Sequence, residues 1–195
     1  MVDYVPPSVE SLSDHELMIA VRAGEIDRLG ELFERHHGPL YGFFVRHTND
    51  RTASEDLVQL VFYRILKYRH TYRDEGRFSA WIYHLARKVA ADHFRRNSSA
   101  PRNTDPDELQ SLPDQAPHAA DRAVVTDDTE RLHAALAALD PAQREILVLA
   151  RFQHLKHEDI ARLFDVSVGA VKVRVHRALK DLRDIYFKLS REPAA

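Results

Sequence analysis

The chain has 195 residues, of which 44% are hydrophobic and 30% charged, with a net charge of −2 and a pI near 6.6. That length admits one domain or two small ones, with the composition of an ordinary soluble protein, and the near-neutral balance excludes a simple nucleic-acid coat, so any DNA contact must come from local patches. The absence of cysteine excludes disulfides, thiol catalysis and cysteine-ligated zinc. Met1 to Glu10 lacks the apolar core of a signal peptide, and no apolar run approaches the length of a membrane span, so a cytoplasmic protein without such a span is expected.

Six glycines in this length is few, and alternating strand-like runs are absent, so the fold class is all-α. Ser11 to Ala23 reads as a short helix, with Ser13 and Glu16 spaced as a capping box and Gly24 as its stop. Glu25 to Arg46 carries Ile26, Leu29, Leu32, Phe33, Leu40, Phe43 and Phe44, mostly at helical spacing, and Gly38-Pro39 predicts a kink or break within it. Ala53 to Tyr68 repeats the pattern with Leu57, Leu60, Val61, Ile65 and Leu66. Phe78 to Arg96 predicts a fourth helix with Trp81, Ile82, Leu85, Ala86 and Val89 inward.

The stretch 97–123 differs. Pro101, Pro106, Pro113 and Pro117 stand among aspartates and serines with few large apolar residues, too little to bury a core. It reads as an extended acidic linker between an N-terminal helical domain, 1–96, and a C-terminal one, 124–190. In the latter, Leu132, Leu136 and Leu139 form a stripe, and Asp140-Pro141 is an N-cap followed by proline at the first helical position.

His157 to Ala161, then Leu163 to Ser167, then Val168 to Leu179, reads as helix, tight turn, helix, a helix-turn-helix whose last helix runs to about Leu189. Val171, Val175, Ala178, Leu182, Ile185 and Leu189 make its buried stripe, leaving Lys172, Val173, His176, Arg177 and Lys180 outward with Arg174 at the border. Ser167 suits the N-cap, where the helix N-terminus also attracts a DNA phosphate. A helical charge run is more often a solvated face. Here the turn, the cap and the preceding helix agree on DNA.

The fourth helix is a second cationic element, with Arg87, Lys88, Arg95 and Arg96, flanked by Tyr72, Arg73, Phe78 and Trp81. Rings beside cations suit single-stranded nucleic acid, although Trp81 lies in register with Leu85 and reads more naturally as core. His154 and His157 could share a helix face, but Ala161 stands where the zinc-protease motif has its second histidine, so no metal site is expected. Neither a phosphate-binding glycine loop nor a nucleophile elbow occurs, so no enzyme activity and no cofactor are expected.

Taken jointly these pieces resemble a known family. Asp56-Leu57-Val58-Gln59, with Phe62 after it, resembles the helix that sigma factors dock onto core RNA polymerase. Tyr72-Arg73, then Gly76 to Tyr83, then Ala86 to Arg96, is similar to the promoter-melting segment. Leu139 to Glu145 and the helix-turn-helix look like the family's C-terminal domain, and order, linker and size resemble the extracytoplasmic-function (ECF) group of bacterial sigma factors. The resemblance implies that Asp56, Leu57, Gln59 and Phe62 bind polymerase. It places Tyr72, Arg73, Phe78, Trp81, Arg87, Lys88, Arg95 and Arg96 on the minus-ten element, and Ser167, Lys172, Val173, Arg174, His176 and Arg177 on the minus-thirty-five element. The implied partners are core RNA polymerase, promoter DNA and an anti-sigma factor. Two positions depart from the pattern: Asp165 stands where the turn often has glycine, and Val173 where a polar residue is usual. A stand-alone helix-turn-helix regulator is the alternative, and it leaves the Asp56 to Gln59 motif and the basic aromatic helix unexplained.

Overall fold

The computed structural model describes residues 12–73, 77–98 and 127–191, and among them all regular structure is helical. The helices are α1 (Asp14–Ala23), α2 (Arg28–Thr48), α3 (Arg51–Tyr68), α4 (Phe78–Ser98), α5 (Asp127–Ala138), α6 (Pro141–Leu147), α7 (His157–Phe164) and α8 (Val168–Arg191). Most of the expected linker lies outside the described residues.

The helix ends follow from local chemistry. At α1 the Ser13 Oγ accepts from the Glu16 N–H at 3.3 Å, and the Glu16 carboxylate accepts from the Ser13 N–H at 2.7 Å, so two orphan donors are satisfied reciprocally. Gly24 closes the helix at φ 113°, its N–H reaching the Ala20 and Val21 carbonyls, a conformation in which a Cβ is penalised. Asp50 caps α3 by accepting from the Ala53 N–H at 3.0 Å. Asp140 caps α6 by accepting from the Ala142 N–H at 2.9 Å, with Pro141 at the first position.

Of the kink or break expected at Gly38-Pro39, the break does not occur: α2 runs through Pro39. Leu32, Leu40, Phe43 and Phe44, on both sides of the proline, are buried on one stripe. Holding that stripe together outweighs the ~3 kcal/mol that a mid-helix proline costs. Pro39 itself is exposed, so water can reach the carbonyl left without its N–H.

Helices α1 to α4 pack around Leu17, Met18, Val21, Phe43, Phe44, Val61, Ile65, Ile82 and Val89. Helices α5 to α8 enclose Leu136, Ile146, Leu147, Ile160, Val171 and Ala178. Between α6 and α7 the chain winds as a π-helical turn, Val148–Phe152, and Val148 and Leu149 complete that core. The two halves pack directly on one another. Helix α4 lies against α7, while α2 meets α5, α6 and the π-helical turn, and the buried apolar residues of both halves form one cluster.

His47 sits on this seam, its ring stacked on Phe43 at 5.5 Å and edge-on to Phe94 at 5.4 Å. Burial holds its pKa below the ordinary 6.5, opposed by Glu145 and reinforced by Arg144 and Arg87. The folded protein therefore takes up this proton less readily than the unfolded chain. The stability this represents is intact above the unfolded pKa and declines as pH falls below about 6.5. The melting temperature is expected to drop on acidification through that range, and His47→Phe is expected to flatten the drop. An unaltered slope in the variant would place the effect elsewhere, with His84 and His133, also held down first by burial, as the remaining sources.

Candidate nucleic-acid interface

The helix-turn-helix is assembled by local backbone rules. Asp165 adopts the left-handed conformation at φ 52°, its N–H reaching the Ala161 and Arg162 carbonyls, which aspartate tolerates better than most residues. Ser167 Oγ accepts from the Ala170 N–H at 3.1 Å, capping α8. With Val171, Val175 and Ala178 buried, Lys172, Val173, Arg174, His176 and Arg177 all point to solvent, and Val173 is 49% exposed.

Beside this face lies a basin of about 560 Å³ floored by Val175 and Leu179. Arg151, His157, Lys172, His176, Lys180 and Arg183 line it, and no carboxylate does. A concave surface of one sign concentrates counter-ions and suits phosphate contacts that fix register on a duplex. Arg151, His157 and Arg183 were not foreseen. Arg151 comes from the π-helical turn and His157 from the start of α7, and only the fold brings them beside α8. His154 has φ 52° and precedes α7, so it does not share a helix face with His157. Among the described residues no cluster of metal-ligating side chains forms.

On α4 the expected set divides. Lys88, Arg95 and Arg96 are exposed, with Arg95 paired to Asp92 at 2.7 Å. Arg87 is turned toward the C-terminal half. Tyr72 and Phe78 are not exposed stacking platforms: they are 2% and 3% accessible. Tyr72 meets Trp81 edge-on at 5.2 Å and Phe78 at 6.2 Å. The Tyr72 hydroxyl lies 2.8 Å from His15 Nδ1, and its carbonyl accepts from Arg22 at 2.8 Å. The gain from burying two rings, about 1.5–3 kcal/mol each, turns them inward at the two ends of the segment joining α3 to α4. Arg73 is exposed on that segment, Trp81 is partly buried, and residues 74–76 of the segment lie outside the described residues.

Helix α3 divides in the same way. Asp56 and Gln59 are exposed, but Leu57 and Phe62 are 5% and 6% accessible. Phe62 packs on Phe33 with ring centroids 4.9 Å apart. Both therefore anchor α3 to its neighbours and offer a partner little surface. The outward stripe continues instead to Tyr63, 55% exposed, with the Lys67 ammonium 6.0 Å above its ring. Helical spacing from Asp56 and Gln59 could have pointed to Tyr63.

This fold and these surfaces define an all-helical DNA-binding protein with a helix-turn-helix and a second basic helix. The family model described as Sigma-70 region 2 matches residues 32–100, and that described as Sigma-70, region 4 matches residues 129–182. RNA polymerase sigma factor CarQ of Myxococcus xanthus is 31% identical over 175 residues, covering 89% of this chain and 97% of the relative. ECF RNA polymerase sigma factor SigX of Bacillus subtilis is 30% identical over 164 residues, covering 83% and 84%. Among solved structures, CnrH in complex with the cytosolic domain of CnrY shares the fold at TM-score 0.68 and 21% identity, covering 88% of this chain and 96% of that one. The sigma factor RpoE in complex with the anti-sigma factor NepR from Bartonella quintana does so at TM-score 0.62 and 21% identity, covering 83% and 98%. The chain belongs to the ECF group of the sigma-70 family of RNA polymerase sigma factors. It is a transcription initiation factor that directs RNA polymerase to promoters, and not an enzyme. No described helix is long and apolar enough to cross a membrane.

Proposed function

We propose that residues 1–96 dock on core polymerase and melt the minus-ten element, that 97–123 link the domains, and that 124–190 read the minus-thirty-five element as duplex. Lys172, Val173, Arg174, His176 and Arg177 reach base edges, and the methyl groups of Val173 suit a thymine methyl. Ser167 and the basin cations Arg151, Lys180 and Arg183 hold phosphates. Lys88, Arg95, Arg96 and Arg73 grip the melted strand beside Trp81, while Tyr72 and Phe78 support them from beneath. Asp56, Gln59 and Tyr63 form the polymerase-docking stripe. The observation that carries this reading is the α8 face, where every reading side chain stands outward beside a basin without a carboxylate.

The protein acts in the cytoplasm, where its polymerase is. Two solved relatives are named in complexes, RpoE with an anti-sigma factor and CnrH with a cytosolic domain, and an anti-sigma partner fits this chain as well. Run-off transcription with core polymerase tests the function. Arg177→Ala is expected to lower output from the cognate promoter about tenfold, the loss of one base contact of 1–3 kcal/mol, with co-elution with polymerase unchanged. Parental output from the variant removes Arg177 from the reading set.

A further inference from the structure

We infer that Gly169 decides specificity on the reading face: with Val173 it forms an apolar recess on α8 that admits the 5-methyl group of a thymine. The inference rests on the assignment of α8 to duplex DNA and adds to it the base that this position selects. Gly169 is the second residue of α8 and is exposed. Its φ is not positive, unlike that of Gly24. A Cβ built on it would meet nothing nearer than the Ser167 Oγ at 3.8 Å, an ordinary contact. Neither the backbone nor the packing of this chain therefore calls for glycine here, although glycine weakens a helix relative to alanine. Gly30 and Gly38 on α2 are as open, but they stand beside no side chain of the reading face.

The neighbours of Gly169 turn its bare backbone into a recess. Residues four apart share a helix face, and helical side chains lean toward the N-terminus, so the methyl groups of Val173 lean toward Gly169. They stop more than 4 Å short of where a Cβ would stand, and they are half-exposed. The backbone of the first turn of α8 floors the gap, and Val173 and Ser167 wall it. Lys172 and Arg177 stand outward beside Val173.

An apolar gap beside cations is the complement of one base edge. In the major groove thymine alone presents a methyl group next to a bare acceptor, its O4. Cytosine presents an amino donor and no methyl, and the purines carry no methyl at all. Lys172 and Arg177 are donors only, so they suit O4 and have nothing to offer an amino group. Replacing thymine with deoxyuridine removes the methyl and leaves O4, which separates the recess from the cations around it. Burial of one methyl group corresponds to about a fourfold change in affinity. A Cβ at position 169 would take up the space and expel the methyl.

The test uses the full chain assembled with core RNA polymerase and a promoter fragment that this holoenzyme selects from a random duplex pool. Each thymine of the upstream duplex element is replaced in turn by deoxyuridine, and affinity is measured by competition. With the parent chain one replacement is expected to weaken binding about fourfold. Gly169→Ala is expected to bind the thymine and deoxyuridine forms of that position alike, with a melting temperature no lower than the parent's. Val173→Ala, which takes away one wall, is expected to lose the same discrimination. If no replacement affects the parent chain, the recess is refuted, and that result needs no variant. Full discrimination kept by both variants refutes it as well. Arg177→Ala on the unmodified fragment tells such a failure from that of the reading face: a weakened complex strikes the recess alone, whereas parental affinity strikes the face with it.

Discussion

Replacing Asp56 and Tyr63 together with alanine is expected to weaken association with core RNA polymerase at least about 30-fold, since a buried aromatic anchor alone is commonly worth ~2 kcal/mol or more at an interface. Both side chains are exposed on α3, so their removal leaves the core intact and the melting temperature close to that of the parent. Leu57→Ala and Phe62→Ala also weaken the complex by this account, but only through loss of stability, because those side chains pack inward. Titration of labelled protein with core polymerase, run beside thermal denaturation, separates the two classes. Parental affinity in the Asp56/Tyr63 double variant would remove the docking stripe.

The largest effect on folding is expected at Phe43. It is fully buried, meets Phe44 edge-on at 5.2 Å and Tyr83 at 5.5 Å, and stacks on His47. Phe43→Ala removes the ring on which elements of α2 and α4 converge, and large-to-small changes of this kind cost about 3–5 kcal/mol. For a chain of this length that is a fall in melting temperature on the order of 10 °C. Circular dichroism melting checks it. A fall of only a degree or two would mean that the neighbouring rings collapse into the cavity.

What could be read from sequence was what local chemistry decides. The Ser13/Glu16 box, the Asp140-Pro141 start, the Ser167 cap and the left-handed Asp165 each involve a few adjacent residues, and each forms as the pattern demands. The α8 stripe was equally legible, because a repeated three- and four-residue spacing fixes which side is buried. On α3 and α4 the motif residues alternate between two faces. A motif names residues and does not say which are buried, so Leu57, Phe62, Tyr72 and Phe78 were assigned to surfaces they support from within. The continuous α2 escaped because tertiary burial on both sides of Pro39 outweighs the local penalty. Arg151 and His157 of the basin, and the pairing of Arg87 with Glu145, escaped because the partners lie far apart along the chain, where no spacing rule reaches.

Arg46 Nε, His47 Nδ1 and Arg144 Nε are shut away from solvent without a protein partner, and all three belong to side chains at the junction of the halves. The Arg46 guanidinium lies 4.4 Å from the centre of the Phe152 ring, with burial alone holding its pKa down, while Arg144 reaches the His47 carbonyl at 3.2 Å. An unanswered polar atom of this kind carries a hydration debt of about 1–3 kcal/mol, which is cancelled when water enters. The packing of the two halves is thus opposed by part of its own wiring: the favourable contacts across the junction are offset by donors that water would serve better.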